Sequence, residues 1–167
     1  DATLPGVWVS HSSDGVAWTP PQQVVPGTIF DLQLGVARNG VARMAFSRQT
    51  GTNQVGLFTA YFDKTAWTAD PNPVLAPDSP YTMGAYSSNP QLAIGGTGDG
   101  IVVFDEYDDN TETSVGVVNL IGSTRTAPRV LDTNTTDGIS DRYAAMNGNS
   151  EGVVVWSENS SSSSMTM

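Results

Sequence analysis

Gly40-Val41-Ala42-Arg43-Met44-Ala45-Phe46-Ser47, Gly100-Ile101-Val102-Val103-Phe104-Asp105 and Gly152-Val153-Val154-Val155-Trp156-Ser157 state one pattern three times: a glycine, an apolar run, an aromatic ring, then polarity. The three glycines stand 60 and 52 residues apart. Short runs rich in β-branched and aromatic residues, bounded by turn formers, read as strands. Ahead of each lies a second strand-like piece that closes on a Gly/Asn/Asp turn: Asp31-Leu32-Gln33-Leu34-Gly35-Val36, Asn89-Pro90-Gln91-Leu92-Ala93-Ile94 and Asp141-Arg142-Tyr143-Ala144-Ala145-Met146. Together they predict one hairpin seen three times.

A second unit recurs at a different phase. Asp14-Gly15-Val16-Ala17-Trp18-Thr19 is echoed by Asp63-Lys64-Thr65-Ala66-Trp67-Thr68, with Ser123-Thr124-Arg125-Thr126 as a worn third copy. Each copy follows a β-rich run and precedes a proline-containing segment ending in Val or Leu, which predicts a hairpin whose outer strand tolerates proline. No window sustains the apolar stripe of a helix over three turns. Lettering the strands of one repeat A to D gives the order C-D, A-B-C-D, A-B-C-D, A-B. The predicted fold is all-β, a β-propeller of four-stranded antiparallel blades, with three blade-equivalents over residues 1–159 and one blade split between an N-terminal C-D pair and a C-terminal A-B pair. Residues 160–167 read as a Ser-rich tail. Closed propellers typically have about 4–8 blades. Self-association, or a second chain, is therefore expected to complete the ring and to cover the open strand edges; a chain that is a piece of a longer protein and an open stack joined by strand exchange are the alternatives.

Composition bounds the chemistry. The chain has 167 residues, no cysteine and one histidine, His11, so the sequence offers no Cys/His zinc site, iron–sulfur centre or Cys–His nucleophile pair. Seventeen acidic residues against seven basic ones give a net charge of -10, which predicts no nucleic-acid partner. No stretch approaches the ~20 apolar residues of a spanning helix, so membrane insertion is not expected. The Asn, Ser, Thr and Gly richness and the single lysine, Lys64, point to an extracellular or cell-surface protein. Asn134-Thr135-Thr136 and Asn159-Ser160-Ser161 match the glycosylation acceptor pattern.

Ser12-Ser13-Asp14-Gly15-Val16-Ala17-Trp18-Thr19 resembles the Asp-box of sialidase-type (BNR-repeat) propellers, Ser-x-Asp-x-Gly-x-x-Trp, one residue short. The second copy keeps Asp63 and Trp67 but has Phe62 and Lys64 at the Ser and Gly positions. The strands from Gln91 to Asp105 and from Tyr143 to Glu158 are similar to repeats of secreted bacterial propellers. The resemblance implies that Asp14 and Asp63 are structural, each carboxylate satisfying backbone N–H groups, and that Trp18 and Trp67 pack between sheets. It also implies a place for a substrate-binding arginine, which Arg142 fills, whereas Leu32 and Pro90 stand at the equivalent points of the other units.

Blade topology gathers the candidate site at the end where the A strands begin. Asp31, Asn89, Asp141 and Arg142 lie at those starts, with Arg48, Asp105, Glu106 and Glu158 at or beyond the ends of the B strands, and Tyr81, Tyr86 and Tyr107 in adjoining loops. Carboxylates, amides and arginine beside aromatic rings suit a carbohydrate, whose hydroxyls need acceptors and whose apolar face needs a ring. The run Asp105, Asp108, Asp109, Glu112 is a candidate calcium loop, although it lacks EF-hand spacing. The expected function is that of a non-catalytic module binding a glycan or protein partner. A sialidase-like glycoside hydrolase and a structural subunit of a surface filament are the alternatives.

Overall fold

The computed structural model describes residues 4–52, 54–74, 90–107, 113–134 and 138–159. Among them every regular element is a strand. The chain runs through β1 (Gly6–Val9), β2 (Gln22–Pro26), β3 (Ile29–Val36), β4 (Ala42–Gly51), β5 (Gln54–Phe62) and β6 (Trp67–Ala69). It continues through β7 (Gln91–Ile94), β8 (Gly100–Tyr107), β9 (Thr113–Ile121), β10 (Thr124–Arg125), β11 (Arg129–Asn134), β12 (Gly138–Met146) and β13 (Gly152–Asn159). No helix of the described residues is long and apolar enough to cross a membrane.

All pairings are antiparallel and group the strands into β1-β2, β3-β4-β5-β6, β7-β8-β9 with both β10 and β11 on the far side of β9, and β12-β13. The outer position next to β9 is split into β10 and β11 around Ala127 and Pro128 because proline has no N–H for the ladder.

The middle strands are buried on both faces, which is why their sequences are continuous apolar runs. Met44, Phe46, Phe58 and Ala60 pack against Val7 and Val25 of the first pair of strands. The opposite face of the same sheet, with Ala45 and Leu57, packs against Val102, Phe104, Val118 and Leu120. Val103 and Val115 then meet Ile139, Ala144, Val154 and Trp156 of the last pair. Four sheets thus pack face to face in chain order. At Gly35 of β3 an added Cβ would lie 2.9 Å from Ile94 Cγ2 of β7, so glycine permits this close approach of the two sheets.

The repeat is visible in the backbone. The Ala37 N–H donates to Val41 O and the Gly40 N–H to Ala37 O; Gly95, Asp99 and Gly98 repeat this geometry, as do Asn147, Glu151 and Ser150. Gly40, Gly98 and Ser150 share a left-handed φ of 87°, 92° and 65°. Register agrees, since Ala42, Gly100 and Gly152 face Val36, Ile94 and Met146. The sequence motif is corrected accordingly: Gly98 and Ser150, rather than Gly100 and Gly152, are the counterparts of Gly40. The aromatic residue, fixed by core packing, holds the register that the glycine only approximates. The three turns touch, with Asn39 Nδ2 donating to Thr97 O at 2.8 Å and Thr97 Oγ1 2.6 Å from Ser150 Oγ.

Candidate functional site

At the end opposite these turns, β3 and β12 carry the same irregularity. Each has a bulge, between Phe30 and Gln33 and between Ser140 and Arg142. The bulges place Asp31 and Asp141 in solvent, Asp31 with a φ of 46°. An extra residue bends the strand and re-aims its neighbours. In β12 the consequence is that Arg142 turns inward, where its Nη2 lies 2.5 Å from Asp105 Oδ2 at the end of β8. Both side chains are at least nine-tenths buried, and Asp105 Oδ1 accepts no hydrogen bond from the described residues. Burial raises the Asp105 carboxyl to about 6, with the Arg142 charge and its hydrogen bond opposing the rise.

Beside this pair, Gln91, Asp141, Arg142 and Tyr143 line a cavity of 140 Å³. It is polar, and the exposed Tyr143 offers a ring at its margin. This is the part of the predicted site that the structure brings together: Asp141 and Arg142 at one cavity, with Gln91 and Tyr143 added and Asp105 paired with Arg142. Gln91 and Tyr143 follow the A-strand starts in the aligned repeats, and that alignment was the available signal for them.

The other predicted positions divide. Arg48 lies at the end of β4 with its guanidinium 4.0 Å over the Phe58 ring, a cation–π contact that ties it to the scaffold. Glu158 faces Ile139 across the last hairpin and is exposed. Glu106 pairs with Ser114 in the ladder between β8 and β9. Tyr86, Asn89 and the calcium candidates Asp108, Asp109 and Glu112 lie outside the described residues. The fourth calcium candidate, Asp105, faces Arg142, and no metal-binding cluster occurs among the described residues.

In both Asp-turns the carboxylate accepts hydrogen bonds from the backbone of its own turn. Asp14 Oδ1 accepts from the Val16 and Ala17 N–H groups at 2.8 and 2.9 Å and from Ser12 Oγ. Asp63 Oδ1 accepts from the Thr65 and Ala66 N–H groups and from Thr65 Oγ1. These donors hold both carboxyls below the usual range, Asp63 at about 2. Two expectations are corrected. Trp67 packs on the first core cluster and Phe62, but Trp18 is 64% exposed because no sheet lies against it. At the third copy the chain turns in two residues, Gly122 and Ser123, with Ile121 facing Thr124; Gly122 has a φ of 55° and its N–H donates to Asp99 Oδ1 of the neighbouring hairpin at 3.3 Å, so the turn holds no carboxylate of its own.

A larger cleft of 680 Å³ opens near the turns. Its arginines are committed to joining sheets, Arg43 donating to Gly98 O and Gly122 O and Arg125 pairing with Asp70 at 2.7 Å, and its Asp63 is taken up by the Thr65 and Ala66 N–H groups of its own turn. The smaller polar cavity is the better candidate because its tyrosine and Asp141 face solvent. No family model, curated protein or solved structure matches the chain.

Proposed function

We propose that the chain is a β-propeller module, extracellular or at the cell surface, that binds carbohydrate through the end where its A strands begin and carries out no chemistry there. The observation that carries this reading is the cavity of Gln91, Asp141, Arg142 and Tyr143 beside a bulged strand start. Amide, carboxylate and phenol groups around a ring-sized polar opening suit hydroxyl recognition, and an exposed tyrosine offers the stacking face that a sugar ring takes. The repeated A–B hairpin supports the propeller part of the reading. A bulge at Asp31 and again at Asp141 gives the first and third hairpins the same outward carboxylate. The Asp105–Arg142 pair supports binding over hydrolysis, since its two charges are turned toward each other.

A glycan array probed with the purified chain tests this, followed by titration of the best glycan. Asp141→Ala is expected to weaken binding at least ~10-fold, the loss of one or two charge-assisted hydrogen bonds, while leaving the circular dichroism spectrum unchanged. An array without specific binding, or a variant that binds as the parent does, overturns the proposal.

A further inference from the structure

We infer that Asn147 is a site of self-modification: the Gly148 nitrogen displaces the Asn147 side-chain amide as ammonia, and water opens the resulting succinimide to aspartate or isoaspartate.

The turn between β12 and β13 gathers the groups this step needs. Asn147 Oδ1 accepts from the Asn149 and Glu151 N–H groups at 2.9 and 3.0 Å, and Asn147 Nδ2 donates to Glu151 Oε2. Two backbone donors on one carbonyl oxygen draw electron density from Cγ, and they stand where the oxyanion of a tetrahedral intermediate develops. The attacking atom is uncommitted, since the Gly148 N–H makes no hydrogen bond to the described residues. Glycine, having no Cβ, leaves that nitrogen the least hindered approach to the preceding side chain. Asn147, Gly148 and Glu151 are all exposed, so water reaches the product imide.

The step balances within these groups. The bond from Gly148 N to Asn147 Cγ forms as the bond from Cγ to Nδ2 breaks. The proton of the Gly148 N–H leaves on ammonia, and the Glu151 carboxylate, in contact with Nδ2, relays it to the departing nitrogen. One water then adds across a C–N bond of the imide, so amide and water become carboxylate and ammonia.

The chain carries its own control. Its other Asn-Gly pair, Asn39-Gly40, lies in the corresponding turn between β3 and β4 and is also exposed. There the Gly40 N–H is taken up by Ala37 O at 2.9 Å, and Asn39 Oδ1 accepts from the Val41 N–H alone. Asn39 Nδ2 donates to the Thr97 carbonyl rather than to a carboxylate. Ala37 and Gly95 occupy the position of Asn147 in the other two turns, and Val41 and Asp99 that of Glu151. The arrangement therefore occurs in one of the three turns.

Conversion alters the place where the turns meet. It sets a second carboxylate beside Glu151 where a donor stood, and isoaspartate lengthens the backbone of a turn whose Ser150 Oγ lies 2.6 Å from Thr97 Oγ1. The site is at the end opposite the carbohydrate cavity, and the inference does not rest on the binding reading.

Peptide mapping by mass spectrometry of the folded chain, sampled during incubation at neutral pH, tests it. The fragment holding Asn147 is expected to gain one dalton at least ~10-fold faster than the fragment holding Asn39, the size of effect that one oxyanion donor supplies. It should also convert faster than the same fragment in the chain unfolded in guanidinium chloride. Glu151→Gln keeps an acceptor at this position but removes the carboxylate, so it is expected to slow conversion in the folded chain and to leave the unfolded rate unchanged. Gly148→Ala should slow conversion in both states while preserving the circular dichroism spectrum, because an added Cβ meets nothing within 4 Å. Conversion of Asn147 no faster than that of Asn39, no faster folded than unfolded, or unchanged by Glu151→Gln in the folded chain overturns the inference.

Discussion

Asp105 and Asp63 respond to pH in opposite senses, and the signs follow from where each proton is held. Burial raises the Asp105 carboxyl to about 6, so between roughly 3.8 and 6 the folded chain keeps a proton that the unfolded chain has released. The contribution of this group to stability is greatest below about 3.8, declines as pH rises to 6 and is level above. Asp105→Asn is expected to abolish that decline, so its melting temperature relative to the parent rises between pH 4 and 6. A carbon-detected titration of the parent should show the Asp105 midpoint near 6, and a midpoint near 4 would refute the assignment. Asp63 is the mirror case. Its three donors favour the charged form and hold it at about 2, so its stabilisation is present above the unfolded value and lost as pH falls through 2. Asp63→Asn is expected to flatten the acid side of the stability curve between pH 4 and 2 and to leave the region above 5 unchanged in slope. Thermal melts across that range decide it.

At the scale of single elements, the pair of β8 and β9 shows how one position tolerates two solutions. Where β4 and β5 set Phe46 against Phe58 with ring centroids 6.0 Å apart, β8 and β9 set Phe104 against Gly116. The Phe104 ring lies over the glycine so closely that an added Cβ would stand 2.3 Å from its Cε2. Gly116→Ala is therefore expected to cost about 1–3 kcal/mol through overpacking. Urea denaturation of Gly116→Ala, Phe104→Leu and the double variant tests it: the two changes should couple, and strict additivity would refute the contact. The grouping of strands was legible in the sequence, because apolar runs at a fixed phase, closed by Gly, Asn and Asp, leave little freedom in pairing. The counterparts of Gly40 were not, since a left-handed turn position accepts Ser150 as well as glycine, and the pattern of letters favoured Gly100 and Gly152. The Asp105–Arg142 pair joins two sheets and depends on a bulge that no local spacing marks. The exposure of Trp18 likewise depends on what lies across from it rather than on its own turn, whose carboxylate contacts are those the Asp-box resemblance implies.

For the whole molecule, net charge and the apolar cores between sheets act against each other. The chain carries a charge of -10, so its carboxylates repel one another across the stack of sheets. The Debye length falls from about 30 Å at 0.01 M salt to about 8 Å at 0.15 M, which shortens this repulsion while leaving the apolar contacts of Met44, Phe46, Phe58, Val102 and Phe104 in place. The melting temperature is therefore expected to rise as sodium chloride rises over that interval. A fall would mean that charge pairs such as Arg125–Asp70 and Arg142–Asp105 outweigh the repulsion. Carbohydrate binding in the polar cavity, which joins neutral hydroxyls to Gln91, Asp141 and Tyr143, should change little over the same salt range.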